Sequence, residues 1–337
     1  MEIRPLREDD DRDVAAAFGI ESAALRHDVP DFPPLSLTEY VARIRHPWPG
    51  ESQHLRLAEL DGTPAGLLWL FLPELENLSK VLVELVVHPE HRRQGVGRAL
   101  HAYAAEFARS RGRTSLIGTY VSHLPGGPWR DPGHARFAAT VGAKPALSEV
   151  RRVLDLTTVD KSGWPQLAAS VGPHAAGYSL VRWRDRIPDE YLADIAALDS
   201  RLILDAPMGD LDVEPELIDA ARARDRDEVA LRRGRRHYHV AARHDQTGRL
   251  VAWTTIALDP EATRHAWQNI TLVDPEHRGN RLGLLVKLDN LAQVLAAEPE
   301  LREINTWNAA ENQHMIAINE ALGFRPVDGW IDWQQEA

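Results

Sequence analysis

Two features in the first third of the chain carry chemistry. Between an apolar run and an amphipathic run lies Arg92-Arg93-Gln94-Gly95-Val96-Gly97. The first N–H groups of a helix have no intrahelical partner and, with the helix dipole, favour an anion. Glycine lets the backbone approach a phosphate with no Cβ in the way. Flanking Arg side chains add charge-assisted contacts. The loop reads as a pyrophosphate cradle, although it lacks both the G-K-[ST] of a Walker A loop and the G-x-G-x-x-G fingerprint. Five residues before Pro89, Glu84 interrupts the apolar VLVELVV. It is either a site carboxylate that takes a proton from a reacting group or the solvent side of an alternating strand.

The loop occurs twice. HPEHRRQGVG at 88–97 is matched by DPEHRGNRLG at 274–283, and the shared P-E-H-R begins at Pro89 and again at Pro275. The surroundings repeat as well. A hairpin around Asp61-Gly62 corresponds to one around DQTG, with Trp69 and Trp253 in matching second strands. A strand precedes each loop (81–87 and 269–273). A helix follows, with an apolar face at Val96, Leu100, Tyr103 and Phe107, and at Leu284 or Leu285, Leu288, Leu291 and Leu295. Each half then has a strand (115–121 and 303–307) and a last helix closed by Gly142 or Gly323. The expectation is an α/β chain of two tandem domains, each a mainly antiparallel mixed sheet flanked by helices. The boundaries fall at 1–158 and 177–337, with 159–176 a linker that has room for a short helix.

Composition narrows the function classes. A length of 337 residues suits about two domains. There is no Cys, which removes disulfides, thiolate metal sites and thiol nucleophiles. A net charge of −11 argues against a nucleic-acid partner and mildly for a cationic one. The opening MEIRPLREDDDRDV has no apolar signal core, and no apolar run reaches membrane-spanning length. A cytoplasmic protein without membrane contact is expected. The 15 His form no helical ligand pair, so no metal is expected. Arg232 to Arg236 reads as a solvated turn rather than a nucleic-acid patch.

V-x-P-x-x-R-x-x-G-x-G between strand and helix resembles the coenzyme-A loop of the GCN5-related N-acetyltransferases, and the resemblance covers both halves. The opening I-R-P-L-R-E-D-D resembles that fold's first strand. Asn312 and Met315 before Gly323-Phe324 resemble its final helix. The resemblance implies acetyl-CoA, with loop amides on the pyrophosphate and pantetheine against the strand before the loop. The positions implied are Val86, Val87, Arg92, Arg93, Gln94, Gly95, Val96, Gly97 and Arg98. Their counterparts are Leu272, Val273, Arg278, Gly279, Asn280, Arg281, Leu282, Gly283 and Leu284, joined by Asn308 and Asn312. It also implies direct attack by an amine on the thioester, with Glu84 as base through water.

The two halves depart from the pattern differently. Arg281 replaces the first loop glycine, Ile270 stands where the first half has Glu84, and Asp131 stands where the second has Asn312. The thiolate-protonating Tyr of such enzymes is Ala138 in one half and Asn319 in the other. Tyr120 and His123 are the candidate substitutes, and ordinary core and loop residues are the alternative. Asp205, Asp210 and Asp212 fall where an acceptor cover is expected, or are turn residues. The expected activity is N-acetylation of a small primary amine. The rival is an acyl-CoA-binding protein without catalysis.

Overall fold

Alternating apolar side chains build the first hairpin. Glu51–Leu60 (β2) and Thr63–Pro73 (β3) pair antiparallel, flanked by Glu2–Pro5 (β1) and Lys80–Val87 (β4). Helices Asp11–Asp28 (α1) and Leu37–Arg45 (α2) cover one face. They bury Val14, Ala17, Ile20, Tyr40 and Ile44 against Leu55, Leu57, Leu67 and Trp69. Asp10 and Ser36 cap these helices with their side chains. Val96–Ser110 (α3) and Gly133–Thr140 (α4) take the other face, where Val96, Leu100 and Ala104 meet Leu68, Leu70 and Val83. Ser115–Ser122 (β5) runs parallel to β4.

The computed structural model describes Met1–Ala337 and divides into two units, neither of which is a contiguous half of the chain. The first unit comprises Met1–Glu149, Met208–Glu214 and Asp328–Ala337; the second comprises Val150–Pro207 and Pro215–Val327. Lys144–Asp155 (β6) therefore gives its second part to the second unit. The last strand of the chain, Arg325–Glu336 (β12), completes the first unit's sheet by pairing antiparallel with β5. A physical reason lies at Gly118. A Cβ there would stand 2.4 Å from the Trp333 ring, so the bare backbone of β5 makes room for that indole. The segment 208–214 is tied down by Lys80 to Asp212 and by Asn77 to Glu214.

The second unit repeats the plan. Tyr178–Arg184 (β7), Arg236–His244 (β8), Leu250–Leu258 (β9) and His265–Val273 (β10) are antiparallel, and Glu303–Ala309 (β11) lies parallel to β10 with β6 as its further neighbour. Trp164–Val171 (α5) lies within the expected linker and packs into the core: Val171 is buried beside Val240 and Val286. Leu192–Asp199 (α6), Leu202–Asp205 (α7) and Ala220–Arg232 (α8) precede β8. Leu282–Ala297 (α9) and Gln313–Leu322 (α10) complete the unit. The chain is a mixed α/β protein whose sheet is mostly antiparallel. No helix is long and apolar enough to cross a membrane.

Candidate active site

The site of the first unit begins where two strands part. β4 and β5 pair from Lys80–Ser115 to Val83–Gly118 and no further. Glu84 to Val87 keep their β3 partners. Their other backbone edge opens into a wedge, while β5 stays paired with β12 on its far edge along its whole length, from Ser115 opposite Glu336 to Ser122 opposite Gly329. An unpaired strand edge offers N–H and C=O groups to a ligand that carries amides.

Beyond the wedge, Pro89–His91 makes one tight turn and α3 starts. Gly95 is left-handed at the helix start (φ 87°), with nothing within 4 Å of where its Cβ would stand. Arg93 is also left-handed, at φ 64°. No side chain caps α3, so its first N–H groups face outward. Arg92 does not reach into this space. It donates to the Val87 carbonyl at 3.3 Å and pairs with Asp28 through two bonds of 2.7 and 2.6 Å. Arg93 and Arg98 are exposed and unpaired, and they are the cations a phosphate would meet. Gln94 reaches back to the Glu90 carbonyl. Val96 is core, and a Cβ at Gly97 would come within 3.5 Å of the Phe137 ring and of Val87, so these two positions pack the helix. Val86 faces the α1 side and Val87 the α3 side.

The second loop has the same backbone and different commitments. Its two left-handed positions are Gly279 (φ 85°) and Arg281 (φ 54°), so glycine and arginine have exchanged places relative to Arg93 and Gly95. Arg278 donates to the Val273 carbonyl at 3.4 Å and pairs with Asp205 at 2.9 Å. Arg281 lies against Ser170, and Asn280 donates to Tyr178 and to the His277 carbonyl. Leu284 replaces the free Arg98. Leu282 is core, and a Cβ at Gly283 would stand 3.5 Å from Ile318 and 3.6 Å from Val273. Leu272 is buried against the α6 side. Here the backbone pairing stops sooner and a side chain continues it. β10 and β11 pair from His265–Glu303 to Trp267–Asn305, and the Thr306 hydroxyl then donates to the Gln268 carbonyl at 3.0 Å. The Gln268 side chain folds back onto Thr254 and Thr255.

The remaining expected residues divide. Glu84 lies on the α1/α2 face of the first wedge, half exposed, and receives Arg43 at 2.6 and 2.7 Å. Tyr120 lies on the opposite, α3 face, partly buried against the core, where burial raises its hydroxyl pKa. His123 lies beyond β5 and donates to the Pro128 carbonyl at 3.0 Å. The structure therefore does not put Tyr120 and His123 beside Glu84. Asn312 caps α10, its side chain accepting from the Met315 amide, and Asn308 accepts from Asn319 at 2.6 Å. Asp205 serves Arg201 and Arg278, and Asp212 serves Lys80. Arg235 and Arg236 pair with Asp259 and Glu298.

Three acidic residues that sequence reasoning missed lie near the candidate site of the first unit. Asp332 lies opposite Thr119, which donates to it. By strand alternation both share the face of Glu84. Burial raises the Asp332 carboxyl, Thr119 opposing. Glu149 on β6 is pushed up to about 7 by burial and then by Asp332. Glu21 on α1 is pushed up to about 7 by burial, against the pull of Arg43. Only packing joins them, across hundreds of residues. Asp332 between Ile331 and Trp333, a carboxylate flanked by apolar side chains, is the one available signal.

The model of the acetyltransferase (GNAT) family matches residues 22–124 and again 203–324. Among solved structures, the chain is similar to a tandem GNAT protein from the clavulanic acid biosynthesis pathway, solved without AcCoA. The two are 37% identical, 99% of this chain and 98% of that one are covered, and the TM-score is 0.85. A GCN5-related N-acetyltransferase from Sphaerobacter thermophilus shares the fold at 16% identity, with 99% and 95% covered and a TM-score of 0.66. No protein of curated function matches the sequence.

Proposed function

The chain belongs to the acetyltransferase (GNAT) family, and from that premise we propose that it moves an acetyl group from acetyl-CoA directly to a small primary amine. The amine nitrogen forms the new C–N bond and the C–S bond breaks to release coenzyme A; one proton of the ammonium passes to the carboxylate face of the first wedge and a second ends on the departing sulfur. With no Cys in the chain, no thiol acyl-enzyme intervenes. The observation that carries this reading is the first unit's arrangement: an open strand edge leading to an uncapped helix start with Arg93 and Arg98 unpaired. Thioester and pyrophosphate each have a place there, and Glu84, Glu149 and Asp332 favour a cationic acceptor. The cytoplasm, where acetyl-CoA and free amines occur together, is the setting proposed for this chemistry.

A second reading, acyl-CoA binding without turnover, is favoured by Ala138 and by the Asn319–Asn308 pair where a thiolate-protonating Tyr is expected. Calorimetry with acetyl-CoA on wild type, Gly95→Trp and Gly283→Trp separates the cases. Wild type should bind, Gly95→Trp should lose the tight site, and Gly283→Trp should keep it. Thiol release across an amine panel then distinguishes the two readings. Absence of acetyl-CoA binding in wild type would overturn both, and an acceptor panel no faster than hydrolysis would leave binding alone.

A further inference from the structure

Glu84 reaches the α1/α2 layer through one cation. The Arg43 guanidinium holds both Glu84 oxygens with a single nitrogen, and its other terminal nitrogen points to Glu21 Oε1 at 3.8 Å. Below it lie aromatic faces, with the Trp69 ring centre at 4.3 Å and that of Phe71 at 5.6 Å. Arg43 therefore cannot sink away from the two carboxylates. It can only divide its donors between them. Glu21 Oε2, the Tyr40 hydroxyl and the Trp69 indole N–H are buried without a hydrogen bond of good geometry. Tyr40 is 1% exposed and Trp69 0%. A buried carboxylate oxygen left unmatched is costly and is expected to have a use.

We propose that Glu21 decides whether Arg43 stays on Glu84, so that Glu21 and Arg43 are positioning residues for the acceptor amine. The inference rests on the acyl-transfer reading. When Glu21 carries a proton, Arg43 has one anion to satisfy and covers Glu84. When Glu21 is ionised, the guanidinium divides between the two carboxylates and one Glu84 oxygen is free for the ammonium. The groups facing Glu21 are Glu39, Tyr40 and Arg43 from α2 and Glu84 from β4. β3 brings only the Trp69 and Phe71 rings and no charge. Burial places the Glu21 transition near neutrality, so the change falls within the working pH range.

The test has two arms on the full chain. Arg43 guanidinium nitrogen resonances, assigned with Arg43→Lys, should move with one midpoint between about pH 6 and 8 in wild type and stay fixed in the isosteric Glu21→Gln. In the transfer assay, Glu21→Gln should lower kcat/KM for the amine roughly tenfold, the size of one charge contact. It should also remove the Glu21 share of the neutral inflection of the pH profile, leaving only that of Glu149, and leave acetyl-CoA affinity unchanged. Resonances indifferent to pH, or still moving in Glu21→Gln, overturn the inference even where amines are acetylated. If Arg43 follows Glu21 but no amine accepts an acetyl group, the acyl-transfer reading falls and the linkage between the three side chains stands.

Discussion

At two positions in each loop the backbone turns left-handed, and each loop uses one glycine and one arginine for the pair, in opposite order. An arginine there accepts a conformational cost of about 1 kcal/mol and keeps its N–H aimed into the nest. The backbone cradle therefore survives in both units. The side chains differ: Arg93 and Arg98 stay unpaired, whereas Arg281 and Asn280 are engaged by Ser170 and Tyr178. A second residue-scale asymmetry is Lys287, the counterpart of His101. It is 2% exposed, and its ammonium meets only the Phe324 ring, at 5.6 Å. Burial lowers its pKa to about 7. The unfolded chain binds that proton up to about pH 10.4, so its uptake opposes folding increasingly as pH falls from there to 7 and by a constant amount below. Lys287→Met should accordingly raise the thermal midpoint, and by more at pH 6 than at pH 9. An equal gain at both pH values would contradict a neutral buried lysine. The loops were legible because a helix start, its glycines and its arginines are adjacent in sequence. Glu21, Arg43 and Asp332 were not, because only tertiary packing brings them near Glu84.

At the scale of elements, hairpins, loop-helix units and final helices could be read from periodicity and glycine caps. The order of the strands at each sheet's far edge could not. Periodicity shows that β6 and β12 each have an apolar side but is silent on which neighbour receives it. The choice is made by fit: Trp333 needs the bare backbone at Gly118, and Leu154 joins Leu258, Ile304 and Phe324. One wall of the first unit's wedge, β5, is therefore held on its far edge by a strand more than 200 residues away in the chain. Deleting residues 328–337 should strip amide protection from Ser115–Ser122 in hydrogen exchange while leaving Glu303–Ala309 protected. Protection persisting across β5 would mean that the strand closes without β12.

For the whole molecule, charge sets two opposite demands. The chain carries −11, which repels coenzyme A's phosphates and attracts an ammonium. The local cations at Arg93 and Arg98 must overcome the global field at one end of the wedge, while Glu84, Glu149 and Asp332 reinforce it at the other. Screening separates these roles, because the Debye length contracts from roughly 10 Å at 0.1 M salt to about 3 Å at 1 M. Raising salt across that range should weaken acetyl-CoA binding, since two exposed cation–phosphate contacts outweigh a diffuse repulsion, and should raise KM for the amine. Acetyl-pantetheine, which reaches the strand edge without phosphates, should bind with no salt dependence. Arg93→Ala and Arg98→Ala should each flatten the acetyl-CoA salt slope and leave acetyl-pantetheine untouched. Should acetyl-CoA bind more tightly as salt rises, the global charge would dominate at the cradle, and the pyrophosphate would have to be held by the backbone N–H groups of the loop and α3 alone.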